Sequence, residues 1–423
     1  MGRTVRGFRL RTVTVALLLA AASAGCGEPT SSGRTVINWH TFPDVSGALR
    51  QTAANCSRAS HGRYVIAYHE LPRTADGQRA QLVRRLAAHD SALDILGLDV
   101  TWAPEFAEAG WVLPWSGRAR RQAVQDTLPA AVRTGTWRGK LYAVPASSNV
   151  QLLWYRTDLV RKPPATWAQM LAMAHRLAQQ HKPHYVEVQG AQYEGLTVWF
   201  NTLVTSAGGS VLTPSANAPA LGAAALTAVR IMHDLATSPA ADPSLANQLE
   251  DHNRLAMENG TAAFELNWPY VYPAMKADNP SLFRRFRWAP YPRVSPGRPA
   301  HPTIGGSDLA VSSFSPHPQA AFQAALCLRS RSNQKIAAVK GGLPPSLRSL
   351  YHDPAVVAGF PFAAEVLTAL ESAGLRPQTP FYQNVSIAIS HTLSPPAAIN
   401  PSSAVRRLRS QISDALHSRG LIP

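Results

Sequence analysis

Three short runs rich in β-branched and aliphatic residues constrain this chain most: TVINWHTF (35–42), RYVIAYHEL (63–71) and ALDILGLDV (92–100). Between them lie a helical run at 46–60 and a second one carrying the apolar positions Leu82, Val83 and Leu86. Strands that alternate with helices specify βαβ units and a mainly parallel sheet. In such a sheet ligands lie beyond the carboxyl ends of the strands. The stretch His40, Thr41, Phe42 and the turn from Asp99 to Trp102 therefore face a candidate site.

The pattern continues. KLYAVPASSNVQLLWYR (140–156) reads as two extended stretches separated by a polar kink. A helix over 162–180 follows, with Thr166 as its cap after two prolines. Further helices are predicted at 194–206, 221–236, 251–259, 317–331 and 333–339, and strands at 261–268 and 307–313. A Pro-rich, hinge-like segment spans 289–302, and 353–420 reads as largely helical. Some 390 residues follow the N-terminal segment, with 45% hydrophobic content overall. Single cores stop growing near about 250–300 residues, so two lobes are expected. We place the first at 35–145 with a return segment near 300–345. The second takes 146–299 and the C-terminal helical part, 346–423. The fold class is α/β: two lobes joined by hinge crossovers, each a mainly parallel sheet flanked by helices.

The first 25 residues carry Arg3, Arg6, Arg9 and Arg11 and no acid, then a mostly small and aliphatic run from Val13 to Ala24. A membrane span needs about 20 apolar residues, and this run is shorter, so it reads as a secretory signal. Ser23, Ala24 and Gly25 before Cys26, with a polar stretch behind, resemble the lipobox of bacterial lipoproteins, although leucine is commoner where Ser23 stands. That resemblance implies cleavage before Cys26, acylation of its sulfur, and a short tether over 26–34 at the outer face of the cell membrane. The alternative is an ordinary signal with a chance cysteine.

Two cysteines remain, Cys56 and Cys327, each in an amphipathic helical run in a disulfide-permissive compartment. They read as a disulfide or as two buried small hydrophobes, and we lean to the bridge. Formal charge is +16, and about +12 once the four leader arginines are gone. The arginines are scattered along the chain, which argues against nucleic acid and for a solvated surface.

The blocks LDILGLDVTWAPEFAEAGWVLP, LYAVPASSNVQLLWYRTDLV, PPATW, GTAAFELNWPY, TIGGSDLAVS and KGGLPPSLRSLY resemble, in that order, the extracytoplasmic sugar-binding proteins of ABC importers, family 1 of the solute-binding proteins. WFNTLVTSAGGSVL and RPQTPFYQNVS resemble the trehalose-binding lipoproteins of mycobacteria within that family. The stretch from Met275 to Trp288 is shorter than in those relatives. The resemblance implies a monomeric receptor whose lobes close on a disaccharide, trehalose first. It also implies an ABC permease with a cytoplasmic ATPase as partner, a lipid anchor, and no cofactor, metal or catalysis.

A disaccharide presents hydroxyls that donate and accept, and C–H faces. Its site needs carboxylates, amides, an arginine and aromatic rings. Asp99 can accept from two hydroxyls or cap the helix starting near Ala103, its ligand role resting mostly on the resemblance. Asn149 can donate and accept at once, or form an Asx turn. Trp268 is held at a strand end to stack on a sugar face, or packs in a core. Glu250 and Arg376 match the family's sugar-binding carboxylate and arginine; otherwise they are a helix-start acid and a surface ion pair. Gly342 and Leu343 line the cleft through backbone groups. Asn38, His40 and Tyr270 are candidates by position alone.

No phosphate loop G-x-x-x-x-G-K-[ST] occurs, and no G-x-S-x-G elbow. His181 and His184 are spaced for a metal, but Pro183 lies between them, and we assign none. Asp99 and Glu250 across one cleft also fit a glycoside hydrolase, the reading from another class. Rival ligands for a binder are another oligosaccharide or a glycerol phosphodiester, the latter needing a more cationic lining.

Overall fold

The computed structural model describes residues 34–419, with Gly2 alone before them; the expected signal segment, Cys26 and most of the expected tether lie outside the described residues. Among those described, no helix is long and apolar enough to cross a membrane.

Two large sheets carry the chain, beside a two-stranded ribbon at 136–141. The first contains β1 (Thr35–Thr41), β2 (Tyr64–Glu70), β3 (Ile95–Asp99), β4 (Ala143–Asn149) and, from far along the chain, β9 (Gly305–Val311). Their spatial order is β2-β1-β3-β9-β4. β1 runs parallel to both β2 and β3, while β9 runs antiparallel to β3 and β4. The second sheet is formed by β5 (Leu152–Arg156), β6 (Tyr185–Glu187), β7 (Ala262–Asn267) and β8 (Phe286–Ala289). Its order is β8-β5-β7-β6, and only the β6–β7 pair is parallel. The expected parallel sheet therefore holds for the first three strands. The second lobe is mostly antiparallel, because its neighbouring strands approach from opposite sides of the hinge.

The chain stays in the first sheet through Asn149, enters the second at Leu152, leaves it at Ala289 and returns at Gly305. A third strip runs alongside these crossings. The Ile304 N–H donates to the Gly374 carbonyl at 3.0 Å, and the Ser148 N–H to the Pro344 carbonyl at 3.0 Å.

Local chemistry explains the elements. Helix Trp167–Gln179 begins where the Thr166 hydroxyl accepts from the Gln169 N–H at 3.2 Å, and it buries Trp167, Met170, Ala174 and Leu177 on one face. Helix Ala75–Ala87 starts in the same way at Thr74, which accepts from the Gly77 N–H. Most of β3 is buried because helices cover both faces of the sheet. Leu49, Ala53, Cys56, Ala325 and Leu328 pack on one side, and Leu82, Leu86, Trp102 and Phe106 on the other. Each large aliphatic or aromatic residue buried there contributes about 1.5–3 kcal/mol.

Around the second sheet Trp167, Trp199, Phe200 and Met232 pack with Ile389, Leu408 and Ile412, so helices Tyr382–Leu393 and Pro401–Leu416 belong with this lobe. Residues 347–370 behave differently. Leu350, Phe360 and Phe362 join Leu128 and Ala131, which precede β4, to Trp154 and Phe286 of the second sheet. Cys56 and Cys327 are bonded, with their Cα atoms 5.8 Å apart, tying helix Ala48–Ala59 to helix Pro318–Leu328.

Candidate functional site

Arg376 lies in the loop between helices Ala363–Glu371 and Tyr382–Leu393 and is only 2% exposed. Its Nη2 meets Asp99 Oδ1 at 2.9 Å, and its Nη1 meets Glu194 Oε1 at 2.5 Å. A planar guanidinium fork suits two carboxylates held on different elements. Burial by itself would lower the Arg376 pKa, but Asp99, Tyr382 and Glu194 hold it above its ordinary value. The cation therefore stays charged.

Asp99 stands at the end of β3, where its Oδ1 also accepts from the Thr101 N–H at 3.1 Å and the Thr101 hydroxyl at 2.9 Å. It thus shapes the turn before helix Ala103–Glu108 while it meets Arg376. Glu194 opens helix Glu194–Ser206, whose positive end favours an anion. It accepts from the Tyr382 hydroxyl at 2.5 Å and from the Ser386 hydroxyl. Burial pushes its carboxyl up to about 7, against the pull of Arg376 and with a further push from Asp99 and Asp76. Asp76 itself accepts from the Glu194 N–H at 3.1 Å and from Gln383 Nε2 at 2.7 Å, tying a first-lobe helix to two second-lobe helices. Asp76, Glu194 and Tyr382 were not foreseen. For Asp76 and Glu194 the only sequence signal is an acid at a helix start, which solvated surfaces share, and Tyr382 carries none.

Glu250 is the first residue of helix Glu250–Glu258. Its carboxyl is raised by burial, offset by the Tyr193 hydroxyl and the Trp268 indole beside it. Trp268 follows β7 directly and its ring lies against Gly305. A Cβ on Gly305 would stand 2.8 Å from the indole, so only glycine lets the ring lie there. Gly305 is in register with Asn149, the last residue of β4, whose Oδ1 is buried without a partner among the described residues. Asn267 aligns the pair: its Oδ1 accepts from the Trp268 N–H at 2.8 Å, and its Nδ2 donates to the Glu250 carbonyl at 2.9 Å.

Gly342 caps helix Arg331–Gly341 in the left-handed region, φ 64°, and a Cβ there would come within 2.8 Å of Tyr270 Cα. Tyr270 in turn donates to Asp251 Oδ1 at 3.0 Å, and Asp251 meets Arg73 of the first lobe at 3.2 Å. Leu343 lines a cavity of about 30 Å³ with Trp39, Thr41, Phe42 and Ser147. Asn38 and His40 point elsewhere. Asn38 bonds Asp94 and His69, while His40 contacts Arg85 at 2.8 Å and stacks on His69, because alternate residues of a strand face opposite sides of the sheet. His184 Nδ1 sits 2.6 Å from the Lys182 carbonyl. Among the described residues no group of three His, Cys, Asp or Glu is placed to hold a metal.

Behind Glu250 and Trp268 the second lobe buries a polar web. Glu187 and Glu265 lie in register on β6 and β7, both fully buried. Burial first, and neighbouring acids after it, push Glu187 up to about 9; burial pushes Glu265 up to about 8. Asn253 links Glu187, Gln189 and Gln248, and Asn267 donates to Glu265 at 2.6 Å.

The profile of bacterial extracellular solute-binding proteins matches residues 72–335. A probable ABC transporter-binding protein of Deinococcus radiodurans is 30% identical over 338 residues, 76% of this chain and 79% of that protein. The maltose-bound MalE3 of T. maritima superposes with a TM-score of 0.82 at 26% identity, covering 89% of this chain and 99% of its own. The GacH receptor of Streptomyces glaucescens shares the fold, with a TM-score of 0.81 at 20% identity over 92% and 100% of the two chains. On that profile and that relative, the chain belongs to the bacterial extracellular solute-binding proteins.

Proposed function

We propose that this protein is the lipid-anchored receptor of an ABC sugar importer, capturing a glucose disaccharide, trehalose first, and presenting it to the permease. The observation that carries the reading is a pair of polar groups at the crossings: Arg376 holds Asp99 of one lobe and Glu194 of the other, and Glu250 and Trp268 stand beside Gly305 and its partner Asn149. The pair offers three carboxylates with different neighbours, a fixed guanidinium, an amide oxygen without a partner among the described residues and an indole, which suits a neutral polyol with apolar C–H faces. Support also comes from the maltose-bound relative at 26% identity and from the trehalose-type segments at 199–212 and 376–386. The acids that neutralise Arg376 disfavour a phosphodiester. Lobes that close on a ligand must bind it better closed than open, and contacts from both sides supply that difference. Cys26 is the proposed attachment point.

Calorimetry on the chain from residue 27 against trehalose, maltose, mannitol and a glycerol phosphodiester tests the assignment. Heat with trehalose and sugar recovered intact is expected. Silence with every disaccharide overturns the ligand class, and release of glucose would mean a hydrolase. The mass of the mature N-terminus reports separately on acylation of Cys26.

A further inference from the structure

Exposed arginines gather where the chain enters the first lobe. Arg34 leads into β1, and Thr35 stands in register with Tyr64 on β2, so Arg63 lies one strand away, about 4.8 Å in a sheet. Beside Tyr64 a groove of about 550 Å³ is lined by Arg63, Arg118, Gln122 and Gln323, with Ala59 and the disulfide's Cys327. Arg58 precedes Ala59 at the end of helix Ala48–Ala59, and Arg121 lies one turn from Arg118 on helix Gly117–Val124.

Neutral groups occupy these guanidiniums only in part. Arg58 donates to Asn55, and Arg63 to Gln323 and the Ser60 carbonyl. Among the described residues none of Arg34, Arg58, Arg63, Arg118 and Arg121 meets a carboxylate within ion-pair distance. Arg50, Arg79 and Arg85 of the same lobe are all paired. An unpaired cationic surface with a groove for bidentate contacts fits phosphate oxygens.

Eight residues separate Cys26 from Thr35, a reach of at most roughly 28 Å for an extended chain. If Cys26 is held at the bilayer, as proposed above, this end of the lobe stays within a few Debye lengths of the headgroups, each about 8 Å at physiological salt. We propose that the arginine surface rests on anionic phospholipid headgroups of the membrane outer face. Asp99 and Thr41, at the opposite ends of their strands, then face away from the bilayer. The resting receptor samples solute in that orientation.

The test uses the chain from residue 27, which carries no acyl group, so failure of the anchor assignment does not enter it. It is sedimented with vesicles of phosphatidylcholine alone or with one-third phosphatidylglycerol. Binding to the anionic vesicles only, falling with salt, is expected. R63E/R118E should weaken it by more than tenfold, roughly fivefold for each charge lost, while R230E/R406E, exposed on second-lobe helices, leaves it unchanged. Circular dichroism identical to the parent shows that each variant folds. Equal losses in both variants, no vesicle binding at low salt, or release by inorganic phosphate alone would each overturn the proposal.

Discussion

Behind β1, β3 and β9 the first lobe packs Leu49, Ile95, Leu309 and Leu328 and is bridged by Cys56–Cys327, whereas behind β7 the second lobe buries Glu187, Glu265, Gln189, Asn253 and Asn267. The difference teaches where rigidity is needed and where direction is needed. A hydrocarbon interior is non-directional and lets a disulfide hold a platform on which Asp99 stands at a strand end. A buried amide–carboxyl web is directional and costly unless satisfied. Here it runs through Asn267 to both Glu250 and Trp268, so its polarity orients two of the proposed ligand contacts.

Breaking the seam between the lobes gives the largest expected effect. Arg376→Ala leaves buried Glu194 and half-buried Asp99 without their cation, a loss of about 3–5 kcal/mol. Ligand heat should vanish in calorimetry, while Arg376→Lys, which keeps the charge but not the fork, retains part of it. An unchanged affinity in Arg376→Ala would remove the arginine from the site.

Opening the first-lobe bridge comes next. Cys56→Ser with Cys327→Ser should lower stability by about 2–5 kcal/mol in denaturant unfolding, with sugar affinity preserved because the bridge lies away from Asp99. A large loss of affinity would show that the first lobe is not an independent platform.

Removing the hub of the second-lobe web is smaller. Asn253→Ala should cost about 2 kcal/mol by stranding Gln189, Gln248 and Glu187. Hydrogen exchange should accelerate at β6 and β7 while β1 and β3 stay protected. Uniform acceleration in both sheets would contradict the division.

A pH dependence is expected as well. Burial pushes Glu265 and Asp308 up to about 8 and Glu187 up to about 9, whereas unfolded carboxyls ionise near about 4. At neutral pH the unfolded chain has therefore released protons that the fold retains. Stability falls as pH rises towards the folded values and levels off above them. His40, pushed down to about 3 by burial and then by Arg85, acts oppositely, but its gain is complete above an unfolded value near about 6.5. The melting temperature should drop between pH 7 and pH 9. A flat or rising profile would mean that these carboxyls are already ionised in the fold.

Much of the fold is legible in periodicity. The three opening strands, the Thr166 cap and helix 194–206 stand where the residues predict them. Strand β6, three residues long, was hidden inside HKPHYVE, where no period can develop and two histidines draw attention. Helices Gly117–Val124 and Pro129–Thr134 also escaped, the first because GRARRQAV carries too few apolar positions to mark a face. In the candidate site, residue type and family likeness point to Asp99, Asn149, Glu250, Trp268 and Arg376. They do not point to the residues that aim them, Glu194, Asp76, Tyr382 and Asn267.

The sequence by itself determined the α/β class, the two-lobe scale and the kinds of group a polyol site requires, because hydrophobic period and residue chemistry act over a few neighbours. Only the tertiary structure decided that Arg376 meets Glu194, 182 positions away, that Gly305 receives Trp268, and that Asn38 and His40 face away. Those outcomes depend on which distant surfaces exclude water together. Closing such long loops is governed by the whole packed core, and no local pattern records it.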